Sequence, residues 1–155
     1  MAVVLDGARL DDAAMQRFAR WTNLSETTFV LPPTDPAADY ALRIFTPGGE
    51  LPFAGHPTLG SCFAWLAAGG QPKWADRIVQ QCAKGLIPIR RDGERLAFAA
   101  PPSARSDPAA ALLADIAQAL GVEPAQILRA QRLDNGPVWL TLQLDSADTV
   151  LALEP

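Results

Sequence analysis

The chain is 155 residues long, 49% hydrophobic and 19% charged, with a formal net charge of −4. Such a composition belongs to a globular protein and excludes disordered and collagen-like chains, and this length buries roughly 70% of the surface exposed by the unfolded form, enough for one domain or one and a part. The acidic balance argues against nucleic-acid and membrane partners, which need a basic field to recruit phosphates.

In chain order, residues 2–5 (Ala-Val-Val-Leu) predict a short apolar strand. No basic segment precedes an apolar core there, and no continuous apolar run reaches the ~20 residues of a membrane span, so a cytoplasmic location is expected. Over 10–23 the pattern is helical: Asp11 or Asp12 can cap, and Met15, Phe18, Ala19 and Trp21 recur at three-to-four spacing. Residues 26–31 are rich in β-branched side chains and halt at Pro32-Pro33, which reads as a strand. A loop over 34–38 leads to an alternating strand, Tyr40–Thr46, and Pro47-Gly48-Gly49 turns the chain.

The next segment organises the rest. Pro57 suits a first helical position, with His56 at or near the N-cap, and Gly69-Gly70 supplies a stop, predicting a helix over 57–69. No charge lies on any of its faces, so it is expected to be buried all round, with the domain wrapped about it. Its N-terminus would offer free N–H groups and a positive dipole end to an anionic ligand. Three strands follow at 77–82, 86–90 and 95–99, joined by turns at Lys84-Gly85 and Asp92-Gly93 into an antiparallel meander.

Beyond Pro101-Pro102-Ser103, residues 104–108 read as a linker. Asp107 can cap a helix over 108–120, a helical turn is expected at 124–128, Asn135-Gly136-Pro137 is a turn, Val138–Leu144 a strand, and Asp145 or Ser146 caps a last helix over 147–153. One helix–strand–helix unit is too little for an independent core. The expected organisation is therefore a domain at 1–103 and, at 104–155, a linker and the incomplete beginning of a second.

Few residues can carry chemistry. A single histidine and two scattered cysteines make no metal set, no spaced glycines cradle a nucleotide, and no serine sits in a nucleophile elbow; neither metal nor cofactor is expected. Cys62 and Cys82 fit reduced thiols used as small apolar side chains, although sequence leaves a disulfide open. Glu26 stands at the entrance of a strand that should be half buried, where partial desolvation suits a carboxyl to general acid/base work. On composition alone an exposed strand-entry glutamate is the ordinary alternative. His56 can orient or protonate a ligand held at the helix start, or simply cap it. Glu50 reads as a turn residue, and Trp21, Trp65, Trp74 and Trp139 as packing residues.

Three blocks weight these alternatives: Asn23-Leu-Ser-Glu-Thr-Thr-Phe-Val-Leu31, Arg43-Ile-Phe-Thr-Pro47 and Glu50-Leu-Pro-Phe-Ala-Gly-His-Pro-Thr-Leu-Gly60. In residues, order and spacing they resemble the phenazine-biosynthesis PhzF-like isomerase family, as does Asn135-Gly136-Pro137. The resemblance implies an α+β, diaminopimelate-epimerase-like fold, with a curved, mostly antiparallel sheet wrapped round a central apolar helix, a second similar domain, and the active site between the two. It implies that Glu26 is an acid/base residue moving a proton within a cyclic hydroxy-diene amino acid without a cofactor, that Gly55 and His56 lie near the substrate, and that Ser25 is their polar neighbour. Against the family pattern the chain is expected to be truncated at both ends, lacking an initial strand with a Gly-Asn-Pro turn and the aspartate and Gly-Ser turn of the second domain.

The leading reading is thus a cofactor-free isomerase acting on a small cyclic or amino carboxylic acid. One alternative is a catalytically incomplete fragment or binding module of the same fold; another is an amino-acid epimerase or racemase using two facing cysteines, which Cys62 and Cys82 do not suggest. The expected partners are a small carboxylic acid and either a second copy, as homodimer, or a missing C-terminal half.

Overall fold

A computed structural model describes residues 1–154, which divide into two compact units, Met1–Pro101 and the residues from Pro102 on. The first unit has the strands β1 (Ala2–Val4), β2 (Thr27–Leu31), β3 (Tyr40–Thr46), β4 (Gly49–Leu51), β5 (Arg77–Cys82), β6 (Gly85–Asp92) and β7 (Arg95–Phe98), with helices α1 (Asp12–Thr22) and α2 (Gly55–Ala67). They form one sheet in the order β1-β2-β3-β5-β6-β7, with β4 also on β3. Since β2 takes one edge of β3 along Ala41 to Phe45, β4 and β5 share the other, β4 at Ile44–Thr46 and β5 at Tyr40 and Ala41. Pairing is antiparallel except for β1 with β2 and β3 with β5. The meander β5-β6-β7 is present as the two turns predict.

The sheet curls. Six strands at about 4.8 Å spacing span roughly 24 Å, whereas a helix with its side chains is about 10 Å across. Yet α2 packs against β1, β2, β3, β5 and β7, which one helix can do only if the sheet bends round it. Strand alternation then builds two cores. Val30, Tyr40, Leu42, Ile44, Ile78, Ile87 and Ile89 face α2 with Cys62 and Phe53, while Phe29 and Phe45 point the other way and pack on Met15 and Ala19 of α1. Asp11 caps α1 by accepting from the Ala14 N–H, and Asn23 closes it in the left-handed region at φ 48°.

Three expectations for this unit are corrected. Helix α2 starts two residues before the predicted 57 and ends at Ala67, with Ala54 as N-cap and Pro57 at the third helical position. Proline is tolerated there because the first intrahelical bond runs from the Thr58 N–H to the Ala54 carbonyl, 3.2 Å, so its missing N–H breaks nothing. The helix is not buried all round: Pro57, Thr58, Ser61 and Cys62 are buried, but Phe63 is 68% exposed and joins Leu66, Ala67 and Leu96 in a groove of about 550 Å³. A single curled layer covers one side of a helix. Glu50 lies in strand β4, opposite Phe45, rather than in a turn.

The second unit comprises β8 (Ala104–Ser106), α3 (Ala110–Leu120), a 3₁₀ turn at Pro124–Gln126, β9 (Ile127–Asp134), β10 (Val138–Leu144) and α4 (Ala147–Leu151). Its sheet runs β10-β9-β8, antiparallel throughout. The segment 104–108, expected as linker, contains β8, which pairs Ala104, Arg105 and Ser106 with Asp134, Leu133 and Arg132. The helical turn ends at Gln126 and continues directly into β9, which was not expected at all. Asp107 is not the cap of α3, whose N-cap is Ala109 without a side-chain bond; Ser146 does cap α4, accepting from the Thr149 N–H. Among the described residues no helix is long and apolar enough to cross a membrane.

Candidate active site

Glu26 sits in the last position before β2, and its backbone carbonyl accepts from the Ala2 N–H at 3.1 Å. The side chain is folded inward, 15% exposed, and its Oε2 lies 2.9 Å from Nε2 of His56, itself 64% exposed. Oε2 is closed off from solvent and has no hydrogen-bond partner. The two atoms are at ion-pair distance without meeting hydrogen-bond geometry. A buried acceptor left without a donor costs about 1–3 kcal/mol, more when charged. Such a group in a native fold calls for an explanation, and one is that a ligand or solvent donor completes it.

The helix start supplies the rest of the cluster. Gly55 and His56 occupy the first two positions of α2, and their N–H groups have no partner among the described residues; with the helix dipole they favour a carboxylate. A Cβ at Gly55 would lie 3.3 Å from Cζ of Phe98, whose ring stacks edge-on to Phe53 at 5.5 Å. A side chain at position 55 would therefore press on the Phe98 ring, which would have to give by a few tenths of an ångström. Ser25 is exposed in the bend before Glu26; it adjoins the pair along the chain and makes no hydrogen bond among the described residues. Of the four sequence candidates, the structure thus brings Glu26, Gly55 and His56 to one place and leaves Ser25 at its edge.

Sequence reasoning passed over the polar residues beneath this cluster. Thr28 Oγ1 and Ser61 Oγ lie 2.8 Å apart, and Gln80 donates from Nε2 to Thr58 Oγ1 at 3.1 Å while accepting from the Tyr40 hydroxyl at 3.1 Å. The available signal was the presence of Thr58 and Ser61 in an otherwise apolar helix. Arg43 was also passed over: it makes a bidentate pair with Glu50, 2.8 and 2.7 Å, and bonds Asp12 at 2.5 Å. That assigns Glu50 to joining β4 to β3. Hydrogen bonding to Arg43, with its charge, holds the Asp12 carboxyl below its ordinary value.

The cysteines are free. Burial pushes the Cys62 thiol up to about 11, and burial likewise raises Cys82, so neither is a ready thiolate near neutrality. They sit in α2 and at the end of β5, on the packed side of one sheet, which disfavours the two-cysteine racemase reading.

Comparison with known proteins agrees with this architecture. The sequence profile of the phenazine biosynthesis-like protein family (PhzC-PhzF) matches residues 1–155. The chain is 42% identical over its whole length to antisense-enhancing sequence 1 of Schizosaccharomyces pombe, covering 55% of that protein. It is 36% identical, again over its whole length, to the trans-2,3-dihydro-3-hydroxyanthranilate isomerase of Pseudomonas aeruginosa, of which it covers 55%. A PhzF-family protein of Bacillus anthracis superposes with a TM-score of 0.76 at 24% identity, covering 99% of this chain and 52% of that one. The chain thus spans about half the length of the relatives it matches. The curled α+β unit round its helix is the diaminopimelate-epimerase-like fold, and the chain belongs to the phenazine biosynthesis-like (PhzC-PhzF) family.

Proposed function

We propose that the chain carries the acid/base part of a cofactor-free isomerase site, with Glu26 as the group that moves the proton. The carrying observation is the Oε2 of Glu26, enclosed, without a hydrogen-bond partner and in contact with His56. A carboxylate in that position accepts a proton from an activated C–H of the substrate; the C–H electron pair enters the conjugated system, and the same carboxyl returns the proton to another carbon of that system. Bonds broken and formed balance, and no oxidant or reductant is consumed. The free N–H groups of Gly55 and His56 hold the substrate's carboxylate, the His56 ring sets its orientation, and Ser25 offers a hydroxyl at the rim. The substrate class is a small cyclic or amino carboxylic acid, for which the dihydrohydroxyanthranilate acted on by the P. aeruginosa relative is the natural first probe.

The test is deuterium incorporation into 2,3-dihydro-3-hydroxyanthranilate in heavy water, followed by NMR for the native chain and for Glu26→Gln. Exchange that disappears in the variant supports the assignment; exchange that persists at the native rate removes Glu26 from the role. A second reading, a unit of this fold that binds the acid without turning it over, draws support from the N–H groups of Gly55 and His56 at the start of α2, unpartnered among the described residues. It predicts no exchange in either protein, but ligand-dependent shifts of the His56 ring resonances. The partner we propose is a second copy of the chain. Exposed Leu128, Val138 and Trp139 support it, and a monodisperse monomer in light scattering at high concentration would count against it.

A further inference from the structure

We infer that the hydroxyl pair Thr28–Ser61, together with Gln80 and Thr58, positions Glu26 against His56; the inference rests on the acid/base reading above and adds the residues that set its geometry. Thr28, Thr58, Ser61 and Gln80 are all 0% exposed, in a core whose other side chains are largely apolar. A buried hydroxyl or amide is costly unless it is paired, and an apolar residue of the same volume fills the space without that requirement. What a hydrogen bond adds is direction, because apolar packing tolerates sliding and rotation whereas a donor and an acceptor must meet at a set distance and angle.

The direction of each bond can be assigned. The Thr28 hydroxyl donates to the Ala2 carbonyl at 3.3 Å, which can only accept. Its single proton is then committed, so Ser61 donates across the 2.8 Å to Thr28. The Ala2 N–H in turn donates to the carbonyl of Glu26 itself, 3.1 Å. Three bonds thus link α2, through β2 and residue 2 of β1, to the backbone of the residue that bears the carboxylate. Thr28 is two positions beyond Glu26 on β2, and Thr58 two positions beyond His56 on α2. Thr58 is held from the opposite side by Gln80 of β5, whose carbonyl is fixed by Tyr40 of β3. Helix and strand are therefore each pinned within two residues of the group they present. A shift of α2 along β2 breaks the Ser61–Thr28 bond before it separates the apolar side chains.

The chain's single histidine makes this measurable on the intact protein. The His56 Cε1–H resonance is recorded at one fixed pH for the native chain, Glu26→Gln, Thr28→Val, Thr28→Ser and Ser61→Ala, with a melting curve for each. Thr28→Val keeps the shape and removes the hydroxyl; Thr28→Ser keeps the hydroxyl; Ser61→Ala replaces a helical serine with the best helix former and so retains a folded chain should Thr28→Val not fold. The positioning role predicts that Thr28→Val and Ser61→Ala move the resonance part of the way to its Glu26→Gln position and broaden it, while Thr28→Ser leaves it in place. Lower melting temperatures with an unmoved resonance would mean that the hydroxyls are only structural, and would overturn the inference. If Glu26→Gln itself leaves the resonance unmoved, the Glu26–His56 contact fails, and with it the acid/base reading on which the inference rests.

Discussion

Arg43 shows how a single side chain can join three elements. From β3 it reaches Glu50 on β4 with a bidentate pair and Asp12 on α1 with a third bond, and its guanidinium also lies 5.1 Å from the Phe45 ring centre. The bidentate Glu50 pair, near the surface, is worth up to ~1 kcal/mol, whereas the Asp12 carboxylate stands in solvent and adds little. Arg43→Met is expected to lower stability by about 1 kcal/mol, with a loss that shrinks as salt is added, measured by urea unfolding at two ionic strengths. The Asp12 part carries a sign in pH. Its carboxyl is held below the ordinary 3.8 in the folded chain, so its stabilising contribution is complete above the unfolded value and vanishes as the pH falls through the folded one. The stability difference between native and Asp12→Asn chains should thus be constant near neutrality and disappear under acid; a difference that grew on acidification would contradict the assignment. At this scale it was the resemblance of their blocks to a family, and not composition, that singled out Glu26, Gly55 and His56, which lie together in the structure. Thr28, Ser61 and Gln80 were not legible, because a polar residue in a strand or helix does not show from sequence which way it faces.

Elements were legible in proportion to how far local pattern, rather than a distant partner, determines them. Tyr40–Thr46 and Arg77–Cys82 were read to the residue, since alternation and β-branched content are local properties. β8 and β9 escaped. Ala-Arg-Ser and Ile-Leu-Arg-Ala-Gln-Arg-Leu-Asp contain good helix formers and no clean alternation, and become strands because β10 and β9 offer them ladders, an override that propensity does not contain. The same logic identifies a critical element position. Phe29 is fully buried on central strand β2, with its ring edge-on to Phe45 at 5.6 Å and to Phe18 at 6.1 Å. It joins α1 to the sheet on the face opposite α2. Phe29→Ala should cost ~3–5 kcal/mol, from lost transfer energy and an unfilled cavity. Urea titration should show the midpoint falling with the slope unchanged; a loss below about 1 kcal/mol would show that α1 can collapse onto the gap.

For the molecule as a whole, hydrogen bonding and burial make opposite predictions about where stability resides. The longest ladder of the second unit, β9 with β10, has seven register pairs, against five between β2 and β3. Were ladder length decisive, the second unit would be the better protected. Burial points the other way: β2 is buried at four of its five residues, whereas β9 and β10 hold no buried residue, and Ala117 is the only buried apolar side chain described beyond residue 101. A backbone hydrogen bond contributes only about 0.5–1.5 kcal/mol net, since folding exchanges it for bonds to water, while burying one large apolar side chain contributes about 1.5–3 kcal/mol. Local opening free energies should therefore follow burial. In native-state hydrogen exchange the amides of β2, β3 and β5 should exchange slowest and together, through global unfolding of the first unit. Those of β9 and β10 should exchange faster by at least an order of magnitude, a gap of about 1.4 kcal/mol. Equal protection of the two ladders would mean that the second unit is stabilised by something other than its own apolar core, and mixing in a second chain that slowed exchange at β9 and β10 alone would identify that source as a partner.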